Sequence, residues 1–429
     1  MENNILSKQP YKGTSDWYLK DMFLRNYLFD IWTQTAKRYG YEEYDSAQLE
    51  EASLYKVKSG EELGGNQLYN FTDKGGREIA LRPEMTPSLA RMLASKKNEL
   101  QFPLRWFNIG RYFRYEKPQK GRKREFFQLN IDVLGIQDIT AEIEIIQFTL
   151  DVMKKLKAPQ NSFEIKISNR YLLEYLLNTL QISGDTRDKV ARALDNYLKI
   201  PSNEFKEYLK ELELTDAQVS KVIEYTQWSI DDLEKIKEDS IGASQLIDLF
   251  SKLNELSISN VVFAPYIVRG LAYYTGTVIE LYDIGQEDLP RAMFGGGRYD
   301  NLLEIFGEEK IPAFGVGWGD VTTFDFLKRY NLIPNYQNDI KVFVCLMDNS
   351  LYVQTNKIAS YLRENNINTL MQITPVKLSK QLQFANNKNI PWVVILGEDE
   401  LKKGVIQLKD MKTGEYFLIK KEDIIQKIS

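Results

Sequence analysis

The sequence predicts an α+β fold: an antiparallel-sheet domain interrupted by a helical segment, followed by a small α/β domain. Three observations predict it. Amphipathic helices and strand-like hairpins alternate through residues 1–168, the texture turns uniformly helical near residue 169, and a β-α-β-α-β order appears after residue 339. A chain of 429 residues exceeds one ordinary core, so two or three domains are expected.

Residues 17–39, WYLKDMFLRNYLFDIWTQTAKRY, carry apolar residues at helical spacing, and GTSD before them offers N-cap residues. GREIALRPEMT (76–86) and LRWFNIGRYFRYE (104–116) read as strands, and FFQLNIDVLG (126–135) as the return strand of a hairpin. AEIEIIQFTLDVMKKL (141–156) is an amphipathic helix. Residues 169–257, from NRYLLEYLLNTL to GASQLIDLFSKLNEL, read as a helical insertion with Ser, Thr or Asp near several helix starts. NVVFAPYIVRG, TVIELYD and RAMFGGGRYD then return to strand character, so 1–168 and 258–330 form one discontinuous domain. The polar segment 331–338 contains a proline and reads as a linker. In 339–429 the strands IKVFVCLMD, NTLMQI and WVVILG alternate with two helices, and the chain closes with a hairpin around MKTGEY and a short helix.

Composition narrows the chemistry. The content is 43% hydrophobic and 27% charged, that of a soluble globular protein. No N-terminal apolar stretch reads as a signal peptide and no run approaches membrane-spanning length, so a cytoplasmic protein without a membrane partner is expected. The one cysteine, Cys345, lies in the apolar run VFVCLM and reads as a core residue in a reducing compartment. The chain has no histidine, which excludes a Ser-His-Asp triad, a Cys-His pair and an HExxH zinc site. Catalysis must then rest on Asp, Glu, Arg, Lys, Tyr, backbone groups and bound Mg²⁺. Chemistry of that kind proceeds by positioning and charge stabilisation, with phosphate chemistry the leading example.

One segment stands out against this background. RYFRYEKPQKGRKREFFQLN (111–130) holds seven Arg or Lys, five aromatics and two acids in a chain with 56 basic and 60 acidic residues. A solvated hairpin with a charged tip is the plain explanation. Alternation along a strand would put Arg114 and Glu116 on one face, and Phe126, Gln128 and Asp132 on one face of the return strand. A guanidinium bridges phosphate oxygens, a phenyl ring stacks on a purine, and a carboxylate accepts from an amino group. The hairpin is therefore suited to ATP, and its basic tip to a nucleic-acid backbone.

FRYE, a basic loop and REFFQLNIDVLG resemble the second signature motif of class II aminoacyl-tRNA synthetases, and within that class the histidyl-tRNA synthetase family. PYKGTSDWY, LYKVKSGEE, YNFTDKGGREIALRPEMTPSLARM, IVRGLAYYTGTVIE, FGGGRYDNLL and VVILGEDELKKGVIQLKDMKTGE are similar to further family segments, in the same order. The resemblance covers nearly the whole chain, most weakly 169–257. It implies a class II catalytic domain, a C-terminal anticodon-binding domain (339–429), a homodimer, and the substrates L-histidine, ATP with Mg²⁺, and tRNA(His). It also implies roles. Arg114 and Arg269 hold the α-phosphate, Glu116 the adenine amino group, Phe126 stacks on adenine, and Arg122 lies near the ATP phosphates or the tRNA acceptor end. Glu84, Thr86 and Gln128 hold the substrate's α-amino group. Asp132 and Tyr274 read the imidazole, and Tyr273 and Tyr299 complete the pocket. Arg114, Arg269 and Gln128 are the candidate catalytic residues, Gln128 as one aid to proton removal in the transfer step.

Three positions depart from the family pattern. Motif 1 usually ends in proline where this chain has Ala47, and the common GLDYY is GLAYY, with Ala272. The third motif usually ends in an arginine for the γ-phosphate, and Thr322 stands there. The expected compensation is a cation of the motif 2 loop, Arg122, Lys123 or Arg124; a Mg²⁺ partly held by Asp320 is the other. The loss also admits a second reading, a non-catalytic paralogue that regulates histidine biosynthesis. Retention of the motif 2 residues, Arg269 and the C-terminal domain weighs against it.

Overall fold

The structure is a computed structural model and describes residues 6–56, 65–119, 121–269, 273–285, 291–336 and 338–428. The chain divides into two units, Met1–Ile333 and Pro334–Ser429. In the first, the helix Leu19–Arg38 buries Leu28, Trp32, Thr35 and Ala36, a spacing that marks one face of a 3.6-residue period. Trp32 packs against Trp318 with ring centroids 6.1 Å apart. Full burial of a side chain such as Leu28 contributes about 1.5–3 kcal/mol, so this face ties the helix to the sheet beneath it.

That sheet has eight strands among the described residues. Their order is Glu42–Glu43, Leu104–Phe113, Glu125–Leu134, Ala313–Gly319, Ala292–Arg298, Thr277–Asp283, Phe163–Asn169 and Val261–Phe263. Neighbours are antiparallel except at the two edges, where the pairing is parallel. In a separate three-stranded sheet the expected strand Glu78–Leu81 lies between Leu49–Glu51 and Tyr69–Thr72, whose shortness and exposure leave no period to read.

Two strand expectations need correction. The segment 76–86 is a strand only over Glu78–Leu81, and Thr86 starts the helix Thr86–Lys96, with Pro87 in its first turn. The segment 104–116 is a strand only to Phe113. The Arg114 N–H still donates across the hairpin to the Arg124 carbonyl at 2.9 Å, and the Glu116 N–H donates to the Arg114 carbonyl at 2.7 Å, so a tight local turn after Arg114 places Glu116.

Between Phe163–Asn169 and Val261–Phe263 the chain forms six α-helices, from Arg170–Thr179 to Ile241–Glu255. Their Val190, Leu194, Leu209, Val222 and Leu246 share one apolar core with Ile165 and Ile167 of the sheet. In the second unit the strands run Thr369–Met371, Val342–Val344, Trp392–Ile395, Ile406–Asp410, Tyr416–Ile419, the first three parallel and the last two antiparallel. The helices Tyr352–Glu364 and Leu378–Asn387 supply the crossovers, and Cys345 is fully buried.

Candidate active site

The central hairpin pairs Tyr112 with Phe126, Gly110 with Gln128 and Trp106 with Asp132. Beside it, Gly315 pairs with Asp132 and with Gly297, and Gly317 with Asn130 and Gly295. Residues two apart share a face, so Gly295, Gly297, Gly315 and Gly317 make a bare patch on two adjacent strands. Side chains lie across it. A Cβ at Gly315 would fall within 2.0 Å of Asp132 Oδ1, one at Gly317 within 2.5 Å of Gln128 Nε2, and one at Gly295 within 1.8 Å of Arg269 Nη1. The GGG of FGGGRYD and the alternating glycines of AFGVGWG leave room for polar site residues to lie flat on the sheet.

Asp132 is 4% exposed and accepts a hydrogen bond from the Tyr299 hydroxyl. Burial pushes its carboxyl up to about 7, against the opposing pull of Tyr299 and Tyr44. Glu84 is also buried. The Tyr273 hydroxyl donates to Glu84 Oε2 at 2.7 Å, while buried Oε1 has no hydrogen-bond partner among the described residues. An unsatisfied buried carboxylate oxygen is costly and asks for a donor. The rings of Tyr273 and Tyr274 are 4.8 Å apart and those of Tyr273 and Tyr299 6.2 Å, so one aromatic wall joins the two carboxylates. Thr86, in the first turn of its helix, lies close enough for its hydroxyl to interact with Tyr273.

Two arginines are expected at the α-phosphate. Arg269 has a left-handed backbone, φ 59°, which for a non-glycine residue stores on the order of 1–3 kcal/mol. Its Nη1 donates to Glu280 Oε1 at 2.6 Å, and its Cζ stands 5.9 Å from the Tyr274 ring. Arg114 donates from Nε to the Pro83 carbonyl at 3.0 Å, and its Cζ lies 5.1 Å over the Phe126 ring. Arg122 pairs with Glu116 at 3.0 Å, which brings those two expected ATP ligands together. The structure thus gathers Glu84, Asp132, Tyr273, Tyr274, Tyr299 and Arg269 through direct contacts, with Gln128 on the same glycine patch. Arg114, Phe126, Glu116 and Arg122 form a second group at the hairpin tip.

Several contributors escaped the sequence reading. Glu280 anchors Arg269. Fully buried Arg82 donates from Nη1 to Asp45 Oδ1 at 2.7 Å and to the Ser46 carbonyl at 2.9 Å, so it holds the segment before Ala47 against the hairpin strand. Arg298 of GGGRYD is bound to buried Glu142 at 2.9 Å and serves the scaffold. Ala272 lies outside the described residues. Asp320, the alternative metal-holding residue, is tied into the sheet. It is 1% exposed, its Oδ1 accepts from the Phe127 N–H at 3.1 Å, and burial pushes it up to about 7. Two of the loop cations are also tied down, Lys123 to Ser15 Oγ at 2.8 Å and Arg124 to the Tyr11 hydroxyl at 2.6 Å.

An antiparallel sheet whose central hairpin presents Arg114, Glu116 and Phe126, faced by an arginine from a distant loop, is the catalytic domain of a class II aminoacyl-tRNA synthetase. Residues 14–318 match the family model for histidyl-tRNA synthetase, and residues 341–429 that for the anticodon binding domain. A histidine–tRNA ligase of Leptospira biflexa is 40% identical, the match covering 100% of this chain and 99% of the relative. The chloroplastic/mitochondrial histidine–tRNA ligase of Arabidopsis thaliana is 35% identical, over 97% of this chain and 85% of the relative. The crystal structure of histidyl-tRNA synthetase from Nostoc sp. PCC 7120 superposes with a TM-score of 0.82 at 25% identity, covering 99% of both chains. The chain belongs to the histidyl-tRNA synthetase family.

Proposed function

We propose that this chain activates L-histidine with ATP to histidyl-adenylate and transfers the histidyl group to the 3′ end of tRNA(His). The observation that carries the reading is the pair of buried carboxylates on one aromatic wall, Glu84 with a free oxygen and Asp132 beside Tyr299. Histidine offers an ammonium to the first and an imidazole N–H to the second. Thr86 and Gln128 complete the ammonium site, Tyr273 positions Glu84, and Tyr274 and Tyr299 enclose the imidazole.

Histidine's own carboxylate is the nucleophile, so no enzyme base is required for activation. It attacks the α-phosphorus of ATP in line, a P–O bond forms, and pyrophosphate leaves. Arg114 and Arg269 stabilise the charge that grows on the α-phosphate oxygens. Phe126 stacks on adenine, Glu116 accepts from its amino group, and Arg122 faces the phosphates. Mg²⁺ arrives with ATP as part of the substrate; among the described residues no group of three His, Cys, Asp or Glu side chains is placed to hold a metal. In the second step the terminal ribose hydroxyl of tRNA attacks the adenylate carbonyl, its proton passes to a phosphate oxygen of the adenylate, and AMP leaves; Gln128 can orient the hydroxyl by hydrogen bonding. The anticodon domain match over 341–429 supports a tRNA substrate. A homodimer and a cytoplasmic site of action belong to the same proposal; no helix among the described residues is long and apolar enough to cross a membrane.

Histidine-dependent exchange of pyrophosphate into ATP tests the first step, and charging of tRNA(His) the second. Exchange without charging would refute the transfer step. Thr322 favours the second reading, a regulatory paralogue, and absence of both activities with retained histidine binding would establish it.

A further inference from the structure

We propose that Arg291 supplies the cation for the γ-phosphate of ATP, in place of the arginine that the family's third motif carries where this chain has Thr322. The inference rests on the ligase reading and adds a residue to it. Thr322 sits in the first turn of the helix Asp320–Arg329, and its hydroxyl donates to the Met293 carbonyl at 3.4 Å. That contact joins the vacated motif 3 position to the start of the strand Ala292–Arg298, just after Arg291. Arg291, Thr322 and Gly121 of the motif 2 loop line one cleft. A Cβ at Gly121 would stand 3.3 Å from Arg291 Cδ and 3.6 Å from Thr322 Cγ2. The guanidinium of Arg291 therefore occupies the space between the loop that covers ATP and the position where the family's arginine belongs.

Arg269 lies over Gly295, and Arg291 lies beside Gly121, one residue before the strand that carries Gly295. The two arginines thus stand at separate places, as an α- and a γ-phosphate of one ATP would require.

The charges in the cleft suit a polyanion. Burial lowers the pKa of Arg291, neighbouring Arg122 lowers it further, and Glu116 and Asp325 oppose the change. Two guanidiniums crowded together are stabilised by phosphate oxygens between them. Of the carboxylates near the cleft, Asp283 is held by Arg329 at 2.9 Å and Glu116 by Arg122 at 3.0 Å. Asp325 lines the cleft as well.

The test compares Arg291→Met, Arg291→Lys and the double variant Arg291→Met/Thr322→Arg in histidine-dependent pyrophosphate exchange on the full chain. Methionine keeps an apolar stem and removes the charge. The KM for ATP should rise about ten- to a hundredfold in Arg291→Met, the scale of one charged hydrogen bond. The KM for histidine should stay within about twofold. Lysine should fall between, and Thr322→Arg should restore much of the ATP affinity by returning the cation to motif 3. Affinity for a non-hydrolysable histidyl-adenylate analogue, which has no γ-phosphate, should not move. An unchanged KM for ATP in Arg291→Met, or equal weakening of ATP and the adenylate analogue, would overturn the assignment while leaving the ligase reading intact. No exchange by the unsubstituted chain would overturn both.

Discussion

Gly295 is the position where a single methyl group tests the geometry of the phosphate site. A Cβ there would lie 1.8 Å from Arg269 Nη1 and 2.3 Å from its Cζ. Ordinary contacts between such atoms fall near 3.5–4.0 Å, so in Gly295→Ala the guanidinium must retreat by about 2 Å. It cannot do so and keep its 2.6 Å bond to Glu280 unchanged. A 1 Å misplacement of a reacting or stabilising group can cost about 10²-fold in rate, and loss of one transition-state donor about 10²–10³, or roughly 3–4 kcal/mol. Gly295→Ala should therefore lower kcat for histidine-dependent pyrophosphate exchange by about 10²–10³. The KM for histidine should change by less than roughly threefold, because Glu84, Asp132 and Tyr299 are untouched. Arg269→Ala should lose a similar amount, and the double variant little more than either alone, since both changes remove the same contact. Near wild-type exchange in Gly295→Ala, or losses that simply add in the double variant, would show that Arg269 does not act from the glycine patch.

Further predictions follow from buried carboxyls and from composition. Burial raises the Asp132 carboxyl to about 7, and the imidazole of free histidine titrates at ~6.5, so below neutrality both groups carry protons and the carboxyl no longer accepts from the ring. The KM for histidine should rise as pH falls from 7 to 5; a KM independent of pH over that range would contradict the pairing. Asp320 is raised from its ordinary value near 3.8 to about 7, so the folded state keeps a proton that the unfolded chain gives up. Its effect on stability is absent below about pH 4, grows unfavourable as pH rises toward 7, and levels off at roughly 4 kcal/mol on that shift. Urea unfolding should thus show Asp320→Asn gaining on the parent chain between pH 5 and 7, and a constant difference would refute the burial argument. The chain's lack of histidine should let its synthesis continue when charged tRNA(His) is scarce. Pulse labelling under histidine starvation checks this, and equal loss alongside a histidine-containing protein of similar length would count against it.

What could be read beforehand was whatever depends on local period or residue chemistry. The helices Leu19–Arg38 and Thr140–Lys155 and the return strand Glu125–Leu134 fell close to their expected limits, because each buries a face long enough to set a period. Strand alternation predicts a shared face for Arg114 and Glu116, but the strand ends at Phe113 and a turn carries the chain on to Glu116. Turns of this kind have no apolar period to reveal them. The glycine patch was hidden for another reason. GGG and GVGWG read as backbone freedom, and only the pairing of Gly295 with Gly317 and Gly297 with Gly315 turns four glycines from separate segments into one surface. Glu280 and Arg291 were missed likewise, since their importance comes from what the sheet sets beside them: Arg269 in one case, Gly121 and Thr322 in the other.

The chain has no histidine, so the proposed activation step draws on none of its own side chains as an imidazole base. Activation begins from a substrate that is already a carboxylate anion, so the protein's work is to place it and to meet the charge that appears on phosphorus. Fixed guanidiniums do this well because they never lose their proton at physiological pH. Holding them is the harder problem. Arg269 is kept at its post by a strained left-handed backbone, a carboxylate from the neighbouring strand and a patch of sheet without side chains. Each of these constraints comes from a different part of the chain. The residue that substitutes a cation for the missing motif 3 arginine would then need only to stand near the open end of that same patch. Arg291 stands beside Gly121 and Thr322, one residue before the strand that supplies Gly295 and Gly297. Loss of the family's arginine at Thr322 is therefore compatible with catalysis, because what the γ-phosphate requires is a cation at a place and not an arginine at a particular point in the chain.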